Sequence, residues 1–252
     1  MVLELLPAER SGGATGSAPP APLAVILPWM WAAPSALSKH VALWHSLGCD
    51  VALYRWPPLS VWLPLLAARN AAALLADLAA CLREAPRGVV LVSFSGAAKG
   101  VLAPLLQQLA AAADTAAGAP PPTGAATHAS LPETTTAALP RAQPPPPGAS
   151  PDATAAAAAT AAAAALLAAW LRGVVFDSGP VDFDSSVGVR LFATSNLAWE
   201  QAWEASAHVA HLRLHAQEYR AAVAAFLGRC GLGGRGGAQR GIGVGELQGE
   251  GG

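Results

Sequence analysis

Lysine is nearly missing from this 252-residue chain: only Lys39 and Lys99 stand beside thirteen arginines. Acids and bases almost cancel, at a formal net charge of −1, so no basic field exists to gather phosphates and a nucleic-acid partner is not expected. Cysteine is scarce too. Cys49, Cys81 and Cys230 lie far apart, which excludes a disulfide framework and a cysteine-rich zinc module. They suit a reducing, intracellular compartment and the role of small core residues. Large rings are few, with five Phe and two Tyr, so the 53% hydrophobic content is mostly alanine, which buries little area per residue. The N-terminus, Met1 to Pro22, has two acids, four prolines and no long apolar run, so it does not read as a secretory signal. The stretch Ala153 to Leu171 is long enough to span a bilayer. Its only large apolar side chains are Leu166, Leu167, Trp170 and Leu171, and a low-complexity helix is the better reading.

What is present falls into two foldable blocks. Residues 1–21 are expected to be disordered, as are a Pro/Ala/Thr-rich linker at 113–152 and a Gly-rich tail at 231–252, because none can bury enough apolar area to offset ordering entropy. Residues 22–230 are then one domain interrupted by the linker. In the first block, Leu23–Leu27, Asp50–Tyr54 and Val89–Ser93 are short apolar runs expected of buried strands. Helices are expected at Pro34–Leu47, about Leu66–Glu84 and Gly96 to about Ala112. The second block offers the Ala-rich helix, strands at Gly173–Phe176 and Val189–Ala193, and a last helix at Ala216–Leu227. Strands separated by helices predict an α/β fold, a mostly parallel sheet flanked by helices, with ligands at the carboxyl ends of the strands.

Four segments carry chemistry. Ser95 directly follows a strand and directly precedes a helix, in Ser93-Phe94-Ser95-Gly96-Ala97. That is the setting of a nucleophile elbow, whose tight turn needs small residues two before and two after the nucleophile. The Gly96 N–H can stabilise an oxyanion there, while a simple helix cap is the plainer role for such a serine. His208 and His211 precede the last helix, where a loop can bring a general base to the elbow; surface histidines are the plainer role. His208, His211 and His215 share one helical face, but no carboxylate or thiol completes a metal site, and neither metal nor cofactor is expected. Asp177, in Phe176-Asp177-Ser178-Gly179-Pro180, stands where a triad acid can orient a histidine, or serves only its own turn; Asp182 and Asp184 are weaker candidates. Trp29 and Met30, after the first strand, can lend backbone N–H groups to the oxyanion hole, or simply pack.

Together these segments resemble the transmembrane protein 53 family, a domain of unknown function with an α/β-hydrolase-like fold. The likeness runs through Leu27-Pro28-Trp29 with Lys39-His40, His45 to Tyr54, Val92 to Ala97, Phe176 to Pro180, and Ser206 to Leu212, with Tyr219 and Phe226 in the last helix. The resemblance implies a serine hydrolase acting on an ester or acyl substrate, with Ser95 as nucleophile, His208 as base and His211 as its substitute. It equally implies a catalytically degenerate fold serving as a membrane- or nuclear-envelope-associated interaction protein. This chain departs from the pattern at Pro28, Gly96 and Ala97. Only about two dozen residues separate Asp184 from His208, where the resemblance implies lid helices and an acid-bearing strand, and no Asp follows Asp184. The expected fold is therefore a truncated hydrolase-like one, in which either Asp177 serves as the acid from the preceding strand or the triad is incomplete.

Overall fold

The computed structural model describes residues 3–9, 20–118, 151–177, 198–199 and 210–233. Its centre is β2 (Leu23–Leu27), an apolar pentapeptide with every residue buried. Strand geometry sends successive side chains to opposite faces. Leu23, Val25 and Leu27 enter one hydrophobic cluster, and Ala24 and Ile26 enter the other. Both faces must therefore be covered, and the crossover helices cover them. On one side lie α1 (Pro34–Ser46) and α6 (Ala216–Arg229), with α5 (His211–Leu214) leading into α6. On the other lie α2 (Pro64–Glu84), α3 (Ala103–Gly118) and α4 (Pro151–Trp170).

The strands β3 (Asp50–Tyr54), β2, β4 (Val89–Phe94) and β5 (Leu171–Asp177) are parallel neighbours in that spatial order. The two-residue β6 (Ala198–Trp199) adds to β5 in parallel. At the opposite edge β1 (Leu3–Leu6) pairs antiparallel with β3, which makes the sheet mixed. This corrects the reading of residues 1–21 as wholly disordered. The segment is further fixed where the Ala8 N–H donates to Asp50 Oδ1 at 3.0 Å and where His45 Nε2 meets the Leu6 carbonyl at 2.9 Å. Asp50 also pairs with Arg87 at 2.7 Å, so the chain after β1, the start of β3 and the turn before β4 meet at one carboxylate.

The α/β class stands, with element bounds shifted by a few residues. The expected linker is shorter at both ends, because α3 runs on to Gly118 and α4 starts at Pro151. Alanine is a strong helix former, and here propensity extends the helices past the point where composition suggested a break. The run considered as a membrane span becomes α4 and the start of β5. Ala163, Ala164 and Leu167 are buried in the core with residues of α2 and α3. Among the described residues α2 alone is long and apolar enough to cross a membrane, and its Leu74, Leu75, Leu78 and Leu82 lie in that same core. The strand expected at Val189–Ala193, with Asp182 and Asp184, lies outside the described residues.

Candidate active site

Strand β4 ends at Phe94, and the chain turns into helix at once. Ser95 sits in that turn with φ of 50°. A non-glycine residue reaches this region rarely, and such strain persists only where the surroundings hold it. Its backbone N–H donates to the Asp177 carbonyl at 3.1 Å, continuing the β4–β5 ladder by one residue past Phe94↔Asp177. Ser93 and Ala97, two residues to either side, are small and buried. The plainer reading of Ser95 as a helix cap stands beside the elbow: Ala97 already has helical geometry, and the Ser95 carbonyl accepts from the Ala98 N–H at 3.2 Å at the entry to the following helical turn. That turn, Ala98–Leu102, is wound as a π-helix, a form that recurs at functional sites.

Trp56 explains how the turn is held. Its indole N–H donates to the Pro28 carbonyl at 2.8 Å. Its ring lies where a Cβ on Gly100 would stand, 2.8 Å from Trp56 Cζ3. One side chain thus clamps the loop after β2 to the helix after the elbow. Met30 and Val61 close on the elbow itself: a Cβ built on Gly96 would meet Met30 Cε at 3.6 Å and Val61 Cγ2 at 3.3 Å. The Met30 side chain thus packs against the elbow glycine. The Gly96 amide stands just ahead of the first helical turn, where backbone N–H groups have no intrahelical acceptor.

The Asp177 carboxylate is buried beside the elbow. Its Oδ2 accepts from the Tyr219 hydroxyl at 2.8 Å, and its Oδ1 lies 3.6 Å from His211 Nε2. His211 opens α5 and is mostly covered. Burial and the neighbouring carboxylate push the Tyr219 hydroxyl well above its ordinary value, so it stays protonated and donates. His208, the first choice for the base, lies outside the described residues. Among the described residues no group of three His, Cys, Asp or Glu side chains can hold a metal.

Three contributors were not singled out as site residues in the sequence. Tyr219 reads as one apolar contact on the last helix, and nothing in its spacing announces a hydrogen bond to Asp177. Trp56 sits among prolines and looks like loop packing. His40, in α1, is 4% exposed and stacks edge-on against Phe94 at 4.6 Å, Trp29 at 5.9 Å and Tyr219 at 6.2 Å. Burial pulls its imidazole from 6.5 down to about 4, against the opposing pull of Asp177. It is a neutral ring at neutral pH. The segments that flank Met30 and Val61, the two side chains meeting Gly96, expose large apolar groups: Trp31, Leu59, Trp62, Leu63 and Leu65 are at least half exposed. No family model, curated protein or solved structure matches the chain.

Proposed function

We propose that this chain is a serine hydrolase with an α/β-hydrolase-like fold, of the transmembrane protein 53 type, acting on an ester of an apolar acyl group. The observation that carries the reading is the left-handed backbone of Ser95 at a strand-to-helix turn, pinned by its N–H to the Asp177 carbonyl. Strain of this kind at a serine has a use in an elbow, where it lifts Oγ clear of the backbone to meet a carbonyl carbon. In this scheme Ser95 Oγ attacks the ester carbon and His211, oriented by Asp177, takes the hydroxyl proton. The carbonyl oxygen gathers negative charge and is met by the Gly96 N–H with the Trp29–Met30 backbone. The proton then passes to the departing alcohol, and water releases the acid from Ser95 by the reverse steps. The apolar residues around the elbow suit an acyl chain.

A second reading is favoured by the orientation of His211. Its Nε2, the nitrogen that reaches the serine in many triads, faces the carboxylate instead. A degenerate fold that binds its ligand without cleaving it accounts for this, with the membrane-associated role as its setting. Hydrolysis of a series of p-nitrophenyl esters separates the two. Turnover abolished by Ser95→Ala and reduced roughly a hundred- to ten-thousand-fold by His211→Ala supports the hydrolase. If His208→Ala has that effect and His211→Ala does not, the base moves to His208. Turnover that survives Ser95→Ala, or none from folded protein, leaves the binding reading.

A further inference from the structure

A cleft of about 350 Å³ opens between α1 and α5, on the α1/α6 side of the sheet. Trp29, Ser35, Lys39, His40, Leu212 and Arg213 line it. We propose that this cleft binds a compact oxyanion, a phosphate or carboxylate group. If the Ser95 reading holds, on which this extension rests, the substrate is an ester that carries such a group on one of its halves.

Charge argues first. Lys39 comes from α1 and Arg213 from α5, so only the fold brings them to one cavity. Both are exposed, and among the described residues neither takes part in a salt bridge. The chain from Pro28 to Cys49 contains no acid, and neither does the stretch from Ala210 to Gln217. Among the described residues, Asp177 is the carboxylate whose charge reaches His40. Its side chain is 2% exposed and is already engaged by Tyr219 and His211. Glu218, 65% exposed, is turned to His215 at 3.5 Å. Among the described residues the cleft therefore presents two cations and no acid along its walls.

The second observation is independent of charge. His40 lines the cleft yet is 4% exposed, and its Nδ1 is buried with no hydrogen-bond partner. A buried polar atom without a partner is unfavourable and calls for an explanation. The rings of Trp29, Phe94 and Tyr219 pack edge-on against this imidazole, and none of them bonds Nδ1. A small turn of the ring on binding would give Nδ1 a ligand oxygen at the floor of the cleft. Ser35 adds a hydroxyl from the first turn of α1. That turn has Ala33 at the N-cap, no side-chain cap and no acid, so among the described residues no side chain answers its positive end. Trp29 connects the cleft to the elbow. It lines the cavity and packs 5.6 Å from Phe94, the residue before Ser95.

Calorimetric titration of the full chain with sodium phosphate, and separately with sodium acetate, at constant ionic strength made up with chloride tests the proposal. Saturable binding of phosphate, acetate or both is expected, and the tighter of the two names the group. The Lys39→Ala/Arg213→Ala variant, shown folded by circular dichroism, should bind at least tenfold more weakly. Ser95→Ala should bind as the unaltered chain does. Heats no larger than those of chloride, or a folded double variant that binds as well as the parent, overturn the subsite. Comparing mono-p-nitrophenyl succinate with p-nitrophenyl butyrate tests the extension. A preference for the succinate that the double variant loses supports it. Phosphate or acetate binding without any turnover keeps the subsite and removes the hydrolase reading.

Discussion

His40 is the residue whose setting departs furthest from what its type predicts. A folded-state value of about 4 against 6.5 means that the unfolded chain takes up a proton near pH 6.5 and the folded chain refuses it until about pH 4. The stabilisation is complete above pH 6.5 and is lost as the pH falls through that window, at up to about 1.4 kcal/mol per unit. Urea unfolding between pH 7 and pH 4 checks this. His40→Phe, which keeps a ring against Phe94 and Trp29, should flatten the slope relative to the parent. Cys49 behaves in the opposite sense. Burial, with help from Asp50, pushes its thiol up to about 12, so it is not a nucleophile at neutral pH. Iodoacetamide at pH 8 should leave Cys49 unmodified in the folded protein and alkylate it in guanidinium, as read by peptide mass spectrometry.

Elements were legible in the sequence where the apolar pattern was strong. The run Leu23 to Leu27 and the run Val89 to Phe94 had only one way to be buried on both faces, and both are strands of the core. The element pairings that build the site were less legible. Ser95 and Asp177 were readable as candidates because each ends a strand, but the contacts that hold them come from across the fold. Tyr219 reaches Asp177 from α6, and Trp56 reaches Pro28 from the loop after β3. Spacing along a chain carries no record of such meetings. The clamp can be tested by Trp56→Phe, which keeps a ring over Gly100 and deletes the N–H donated to Pro28. On the hydrolase reading kcat should fall roughly tenfold, the worth of one hydrogen bond, with KM little changed. Packing of α6 on β5 sets a second test. A Cβ at position 173 would stand 2.3 Å from Phe226 Cζ and 3.0 Å from Cys230 Sγ. Gly173→Ala should therefore destabilise the fold by about 1–3 kcal/mol in urea titration.

For the molecule as a whole, composition misled at the N-terminus and was informative at the centre. Residues 3–6 look too short and too isolated to fold, yet β3 offers them an edge, and His45 and Asp50 fix the chain at Leu6 and Ala8. Long-range pairing of this sort is invisible to local composition. Deleting residues 1–8 should expose the β3 edge, lower the melting temperature by about 2–4 °C for each kcal/mol lost, and increase self-association in light scattering. The alanine excess, by contrast, has a structural outlet. Alanines of α4 sit in the core with α2 and α3, where small side chains let helices approach. The sheet so covered on both faces presents its carboxyl edge, with Ser95, Asp177 and the α1/α5 cleft close together. The central claim is that Ser95 is a nucleophile, and covalent labelling by a fluorophosphonate, located by tandem mass spectrometry, tests it most directly. The account predicts one adduct per chain, on Ser95, abolished by Ser95→Ala. Folded protein that takes no label, or takes it elsewhere, contradicts it.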